Sequence, residues 1–170
     1  SCSGGKFGRD DDQEVPNILV ADYEYADGTI VQNEARCLST NPEGLAGSGD
    51  VFIYGTEGWM TISPDGYKTY FGQKNEPGPA RSDQDFPKEE LHDGWQNLIE
   101  CVRSRKREDL DNDILEGHLS AAIGHLGVIS RRTGRPLTFD SAKEKFVDDK
   151  DSDTYLTRDY RKPFVVPEKV

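Results

Sequence analysis

Two of the three histidines, His118 and His125, stand seven residues apart in the segment "EGHLSAAIGHLGVISRRTG". Imidazole titrates near neutral pH and binds metals, so such a pair could do acid–base chemistry, hold a metal ion or contact a substrate. Seven residues of helix span about 10 Å, at about 1.5 Å per residue, which is too far for two ligands of one ion. We therefore interpret the pair either as hydrogen-bonded histidines of a packed helix or as contacts to a substrate.

The substrate-side candidates are His118, Glu116 and His125. His118 is the better candidate of the two histidines, because it is a neighbour of Glu116 and of the predicted start of the helix. A structural role for both histidines, within a packed helix, is the leading interpretation, and contact with a substrate comes second. His92 and Asp93, just before another predicted helix, are interpreted as a local cap or turn rather than an acid–base pair.

Other chemistries leave no clear motif in the chain. The glycine-rich "GLAGSG" at 44–49 follows a loop and leads into a predicted strand, whereas a dinucleotide cradle joins a strand to a helix. The acidic run at 10–14 lacks the ligand spacing and turn glycine of a calcium loop, so we interpret it as a solvated loop. The cysteines show no C-x-x-C spacing for zinc, and Cys37 and Cys101 are predicted to be buried. The sequence assigns no catalytic residue, cofactor-binding residue or metal ligand.

The composition limits the class of partner. The chain has 170 residues, the usual size of one domain, and its formal net charge is -11. An excess of negative charge repels nucleic acid phosphates and anionic lipids, so neither nucleic acid nor membrane is expected as a partner. No apolar run approaches the roughly 20 residues that cross a bilayer. Localisation stays open between cytoplasm and periplasm.

Periodicity predicts the elements that must position these residues. Apolar and polar side chains alternate on both sides of Asp27-Gly28, which predicts a hairpin with strands at 18–25 and 29–38. Three further short strands are predicted between 51 and 71, and a linker or functional loop follows at 72–92. Apolar spacing typical of helices begins at Trp95 and again after Asp113, and a short strand is expected at 137–139. We expect an α+β fold with an open, mostly antiparallel sheet and helices packed on one face.

A small-residue ridge is predicted on the longer helix. Gly117, Ala121 and Gly124 share one side of it, and small side chains permit close approach of a neighbouring element. We expect this helix to be packed on more than one side.

Four stretches together are similar to the C-terminal part of the Gfo/Idh/MocA oxidoreductases, the family of glucose-fructose oxidoreductase and inositol dehydrogenase. They are "GGKFGRDDDQEVPN", "GTEGWMTI", "LIECVRSRKREDLDNDILEGHLSAAIGHLGVISRRTGRPLTFD" and "YLTRDYRKPFVVP". The similarity extends over nearly the whole chain and indicates the bacterial branch with a distinctive C-terminal domain.

The resemblance implies an N-terminal Rossmann domain that binds NAD or NADP. It also implies a C-terminal domain whose open sheet shapes a sugar or polyol site and mediates oligomerisation. The family's glycine-rich cofactor turn, E-K-P-type lysine and D-x-x-x-H-type motif have no match in this chain. The role of the family's catalytic histidine is therefore not carried over to His118 or His125, and the catalytic residues are expected upstream of residue 1.

These observations lead to one function and two alternatives. We expect residues 1–170 to form a single substrate-binding and oligomerisation domain of an NAD(P)-dependent sugar or polyol oxidoreductase. It would be inactive without its missing Rossmann partner and would form a homo-oligomer through the sheet face. One alternative is a stand-alone binding or assembly module, with an interface lined by Tyr23, Tyr25, Tyr67 and Tyr70. The other is part of an NAD-assisted sugar hydrolase or epimerase.

Overall fold

The computed structural model describes residues 1–8, 10–37, 51–85 and 93–166. Its elements in chain order are strands β1 (Cys2–Gly5), β2 (Ile18–Glu24), β3 (Ile30–Arg36), β4 (Val51–Tyr54), β5 (Gly58–Ser63), β6 (Gly66–Phe71) and β7 (Glu76–Ser82), helices α1 (Gly94–Ser104) and α2 (Ile114–Thr133), strands β8 (Phe139–Asp140) and β9 (Lys145–Phe146), and helix α3 (Lys150–Asp153). Short 3-10 turns occupy Asp83–Asp85, Arg107–Asp109 and Thr154–Leu156. The chain forms two compact units, Ser1–Leu38 with Leu115–Val170, and Ser39–Ile114.

The first unit is built on an antiparallel sheet with the strand order β1-β2-β3. Asp27 and Gly28 form the predicted hairpin turn: the backbone N–H of Thr29 donates to the Asp27 carboxylate at 2.9 Å, and Gly28 has a φ of 85°. Such a positive φ suits glycine because no Cβ obstructs it. The strand β1, which the sequence patterns did not predict, pairs with β2 from Cys2 opposite Ala21 to Gly5 opposite Ile18.

Helix α2 packs on the same unit through the side chains of β2. The Tyr23 hydroxyl donates to the carbonyl of Ile123 at 2.6 Å. A Cβ added to Gly127 would lie 2.6 Å from the Tyr23 hydroxyl and 3.1 Å from the Cβ of Ala21. Close approach therefore occurs at Gly127, while a Cβ at Gly117 or Gly124 would meet no described atom within 4 Å.

The second unit contains an antiparallel sheet with the order β4-β5-β6-β7. The first three strands agree with the three predicted between 51 and 71. The interpretation of 72–92 as a structureless linker was wrong for Glu76–Ser82, which forms β7. This strand contains Pro77 and Pro79 and lies at the edge of the sheet. An edge strand tolerates proline, which has no backbone N–H, because the backbone groups on its outer side pair with no other strand. Residues 86–92 lie outside the described part of the chain.

Helix α1 begins where its sequence predicts. Asp93 caps it, because its carboxylate accepts from the Trp95 backbone N–H at 3.0 Å. The buried Asn97 then fixes the turn that follows the helix, donating to the Asp109 carbonyl at 2.8 Å and accepting from the Asp111 N–H at 3.0 Å. His92 lies outside the described residues.

The α+β fold with open antiparallel sheets is confirmed, although the strands we expected in one sheet belong to two. Of the short strand predicted at 137–139, only Phe139 lies in a strand, β8, which pairs with β9. Cys101 is buried as predicted, but the prediction for Cys37 was wrong because its side chain is exposed. In the described ranges no helix combines the length and the apolar character needed to span a membrane.

Candidate functional site

A groove of about 810 Å³ lies along α2 within the first unit. One wall is a face of α2, the second is the β8–β9 hairpin, and the third is the segment from Tyr155 to Tyr160. Its volume is within the range of about 300–1,000 Å³ that is typical of small-molecule sites. Apolar side chains form much of its surface: Val15, Leu119, Ala122, Leu126, Ile129 and Phe139.

The spacing of the two histidines places both of them in this groove. Seven residues are close to two full helical turns, so His118 and His125 lie on the same face of α2. Residues four and seven positions further along the helix, Ile129 and Arg132, continue that face. The structure thus places in one groove the two histidines that the sequence singled out.

His118 is oriented by a carboxylate from across the groove. Its Nε2 lies 2.8 Å from Oε1 of Glu144, and the imidazole N–H donates because an ionised carboxylate only accepts. When the ring is neutral, this bond leaves Nδ1 with a lone pair that can accept a hydrogen bond. The pair is half exposed, so a ligand in the groove can reach it.

The other two sequence candidates differ from His118 in their surroundings. His125 lines the groove, and within the part of the chain that the structure describes its ring nitrogens have no hydrogen-bond partner. Glu116 is exposed and is not among the described residues that line the groove. The geometry therefore favours Glu144 as the carboxylate that accompanies His118.

Glu144 is held by a tight turn between β8 and β9. Asp140 accepts from the backbone N–H groups of Ala142 and Lys143, each at 3.1 Å, and from the Lys143 ammonium at 2.8 Å. These bonds, led by the one to the Lys143 side chain, lower the pKa of Asp140. Glu144 itself has a φ of 50°, a left-handed conformation that turns the chain back into β9.

The hairpin is in turn anchored to α3. The backbone N–H of Phe146 donates to the Asp153 carboxylate at 2.8 Å, and the rings of Phe146 and Phe139 meet edge to face with centroids 5.3 Å apart. Sequence reasoning missed Glu144 as a site residue, because it lies 26 positions from His118. The only local feature of the sequence around Glu144 was a charged turn, which does not by itself indicate a site residue.

A second depression contains Arg135, Asp148, Asp149, Lys150 and Asp151. Arg135 and Asp149 already form an ion pair there, with a nitrogen–oxygen distance of 2.6 Å. Because the depression lacks the apolar walls that enclose a small molecule, the groove along α2 is the better candidate site.

The family model for the C-terminal alpha/beta domain of an oxidoreductase family, Gfo/Idh/MocA, matches residues 21–166. This chain belongs to the Gfo/Idh/MocA oxidoreductase family. No curated protein and no solved structure shows significant similarity to it.

Membership of the Gfo/Idh/MocA family implies dependence of the full-length proteins on NAD(P), so the fit of this chain to a dinucleotide can be examined. A dinucleotide site needs a glycine-rich turn between a strand of a parallel sheet and the N-terminus of a helix. Every strand pair in the described ranges is antiparallel. These residues therefore do not fit a dinucleotide, and the glycine-rich stretch at 44–49 lies outside the described residues.

Metal ligation has no candidate cluster in the described parts of this Gfo/Idh/MocA domain. No group of three or more His, Cys, Asp or Glu side chains among those residues is arranged to hold an ion. The chemistry of the groove is that of hydrogen bonding and charge. Its polar groups are two imidazoles, one carboxylate, the hydroxyls of Ser141, Thr157, Tyr155 and Tyr160, and the guanidinium groups of Arg132 and Arg158.

Proposed function

We propose that this chain is the substrate-binding and assembly domain of an NAD(P)-dependent sugar or polyol oxidoreductase. The single observation that carries the proposal is the groove along α2, in which a Glu144-oriented His118 and a second imidazole, His125, line an apolar-walled space. Membership of an oxidoreductase family supplies the reaction class, and the groove supplies a place for the substrate.

Hydroxyl groups suit this arrangement. With its Nε2–H donated to Glu144, neutral His118 accepts from a ligand hydroxyl at Nδ1. His125 lies two helical turns away on the same face, so it contacts a different hydroxyl of a polyhydroxylated ligand. The apolar side chains between them exclude water from the less polar face of the same molecule.

Hydride transfer is assigned to another part of the protein. Because the described residues do not fit a dinucleotide, the nicotinamide would be bound by an N-terminal Rossmann domain, the family's partner of this domain. This chain would hold and orient the carbon skeleton of the substrate. Purified residues 1–170 with NADH and a sugar panel should therefore show no turnover, and clear oxidation of NADH would contradict the proposal.

The test of the groove is steady-state kinetics of the full-length protein with His118→Ala and Glu144→Gln. Loss of one substrate hydrogen bond in His118→Ala should lower kcat/KM by about threefold to tenfold. Glu144→Gln should lower kcat/KM in the same direction, because Glu144 acts by orienting the His118 imidazole. Lys145→Gln is the matched control, since Lys145 is the exposed neighbour of Glu144 and does not line the groove. Equal kinetics in His118→Ala and Lys145→Gln would contradict a substrate role for the groove.

The same experiment separates the sequence candidates. Glu116→Gln should leave kcat/KM close to that of the unmodified protein, because the Glu116 side chain is exposed and lies outside the described groove lining. A large loss in Glu116→Gln with none in Glu144→Gln would transfer the carboxylate role to Glu116.

Assembly through a sheet face is the second part of the proposal. Val51, Ile53 and Ile62 expose apolar side chains on one face of the β4–β7 sheet, where Val51 pairs with Ile62. A sheet with one uncovered apolar face is a common site of self-association. We propose that a second copy of the chain covers this face.

A further inference from the structure

The groove along α2 carries a charge opposite to that of the whole chain. The chain has a formal net charge of -11, yet the groove contains two arginines and two histidines against one carboxylate, Glu144. That carboxylate is already engaged by His118. The groove is therefore a local basic site on an acidic protein.

Arg158 is the cation that is most available to a ligand. Its guanidinium carbon lies 5.6 Å from the centroid of the Tyr160 ring, a distance at which the face of the ring attracts a cation. In the described ranges no carboxylate forms an ion pair with it. The Tyr160 ring attracts the guanidinium through its face, and the N–H donors of Arg158 remain able to bind another acceptor.

Arg132 provides a second, weaker cation on the α2 wall. Its guanidinium contacts Glu14 at 3.4 Å, and the Glu14 side chain is 84% exposed. A long contact to an exposed carboxylate contributes little, so it is readily exchanged for a ligand anion. The groove thus offers two guanidinium groups beside its hydroxyl-binding imidazoles.

We propose that the groove binds an anionic sugar derivative, with the anionic oxygens at Arg158 and the hydroxyls at His118 and His125. The fork of a guanidinium matches the two oxygens of a carboxylate or phosphate and gains little from a neutral hydroxyl. This inference rests on the proposed function and specifies its substrate class. A sugar acid and a sugar phosphate share the required chemistry.

The test uses the full-length protein and matched pairs of probes: glucose with glucuronate, and glucose with glucose 6-phosphate. Either anionic probe should bind at least about tenfold more tightly than glucose by isothermal titration calorimetry, because a charge-assisted hydrogen bond is stronger than a neutral one. Preference for glucuronate indicates a sugar acid, and preference for glucose 6-phosphate indicates a sugar phosphate. The affinity of the preferred anion should fall as salt is raised.

Arg158→Gln and Arg158→Lys are the decisive variants. Arg158→Gln should reduce the ratio of anionic to neutral affinity by about tenfold, and Arg158→Lys should restore part of that ratio, because it keeps the charge and loses the fork. Arg161→Gln is the matched control: Arg161 stands 5.4 Å from the ring centroid of Phe164 in the same segment and does not line the described groove. The ratio should be unchanged in Arg161→Gln.

The outcomes separate this inference from the proposed function. If glucose binds as tightly as both anions while His118→Ala still weakens its binding, the anion inference is overturned and the sugar site stands. If Arg158→Gln and Arg161→Gln change the ratio equally, Arg158 is not the anion contact. If no probe binds and His118→Ala changes nothing, the proposed function itself fails.

Discussion

At the scale of single residues, the groove depends on two carboxylates, Asp140 and Asp149, that are not among the described residues lining it. Asp140 shapes the turn that presents Glu144, and Asp149 fixes the start of α3, against which β9 is anchored. Asp149 accepts from the Arg135 guanidinium at 2.6 Å and from the Ser152 backbone N–H at 3.1 Å. Both hydrogen bonds lower the pKa of Asp149, and the one from Arg135 contributes most.

The lowered pKa predicts how stability depends on pH. A carboxyl group whose pKa is lower in the folded state stabilises the fold fully above its unfolded pKa of about 3.9, and this contribution disappears as the pH falls through the lower folded value. Asp149→Asn should therefore reduce the free energy of unfolding at pH 7. The difference in free energy of unfolding between the variant and the unmodified protein should shrink as the pH falls below about 4. Urea denaturation between pH 7 and pH 3 measures this difference.

Arg135→Gln provides the matched comparison, because it removes the hydrogen bond that contributes most to the lowered pKa of Asp149. In that variant the pKa of Asp149 should move back towards its ordinary value, and the pH-dependent part of the stability should become smaller. A difference between Asp149→Asn and the unmodified protein that stays constant down to pH 3 would contradict this account of the Arg135–Asp149 pair.

At the scale of elements, α2 is positioned by its close approach to β2 around Gly127. The predicted ridge of Gly117, Ala121 and Gly124 does not make this contact, whereas Gly127 does. The sequence alone could not show which of the three glycines, Gly117, Gly124 or Gly127, contacts β2. The answer depends on which side of the helix meets Tyr23 and Ala21. That contact joins residues about 100 positions apart in the chain.

The helix contact predicts opposite effects for two similar substitutions. Gly127→Ala should lower the free energy of unfolding by about 1–3 kcal/mol, because its Cβ would lie 2.6 Å from the Tyr23 hydroxyl. Gly124→Ala should raise it by up to about 1 kcal/mol, because alanine favours helix and its Cβ would meet no described atom within 4 Å. Thermal and chemical denaturation measure both, and the same sign for both variants would contradict the packing described.

Local patterns predicted the elements well where a local cause determines them. Asp27-Gly28 fixed the hairpin through its turn, and Asp93 fixed the start of α1 through a cap. The strand β7 was missed because prolines disfavour strands in general, while an edge strand accommodates them. Glu144 and Arg158 were missed as site residues because only the folding of distant segments brings them to α2.

At the scale of the whole molecule, the exposed apolar face of the β4–β7 sheet predicts self-association. Ile53→Lys should convert an oligomer of the full-length protein into a monomer, because a buried ammonium group without a partner is unfavourable at an interface. Light scattering coupled to size-exclusion chromatography measures the mass. Ile30→Lys is the control, since Ile30 is an equally apolar, exposed side chain on β3. A monomeric unmodified protein, or an oligomer that survives Ile53→Lys, would contradict assembly through this face.

We propose that this chain acts as the C-terminal domain of a larger oxidoreductase whose other domain binds the nicotinamide. The most direct measurement is the size of the native gene product, by immunoblot of source-cell extracts with an antibody raised against residues 1–170. We predict a band of about 45–50 kDa, the mass of this domain with a further domain of ordinary size. A band near 19.0 kDa, the mass of this chain, would contradict the claim and favour a stand-alone binding or assembly module.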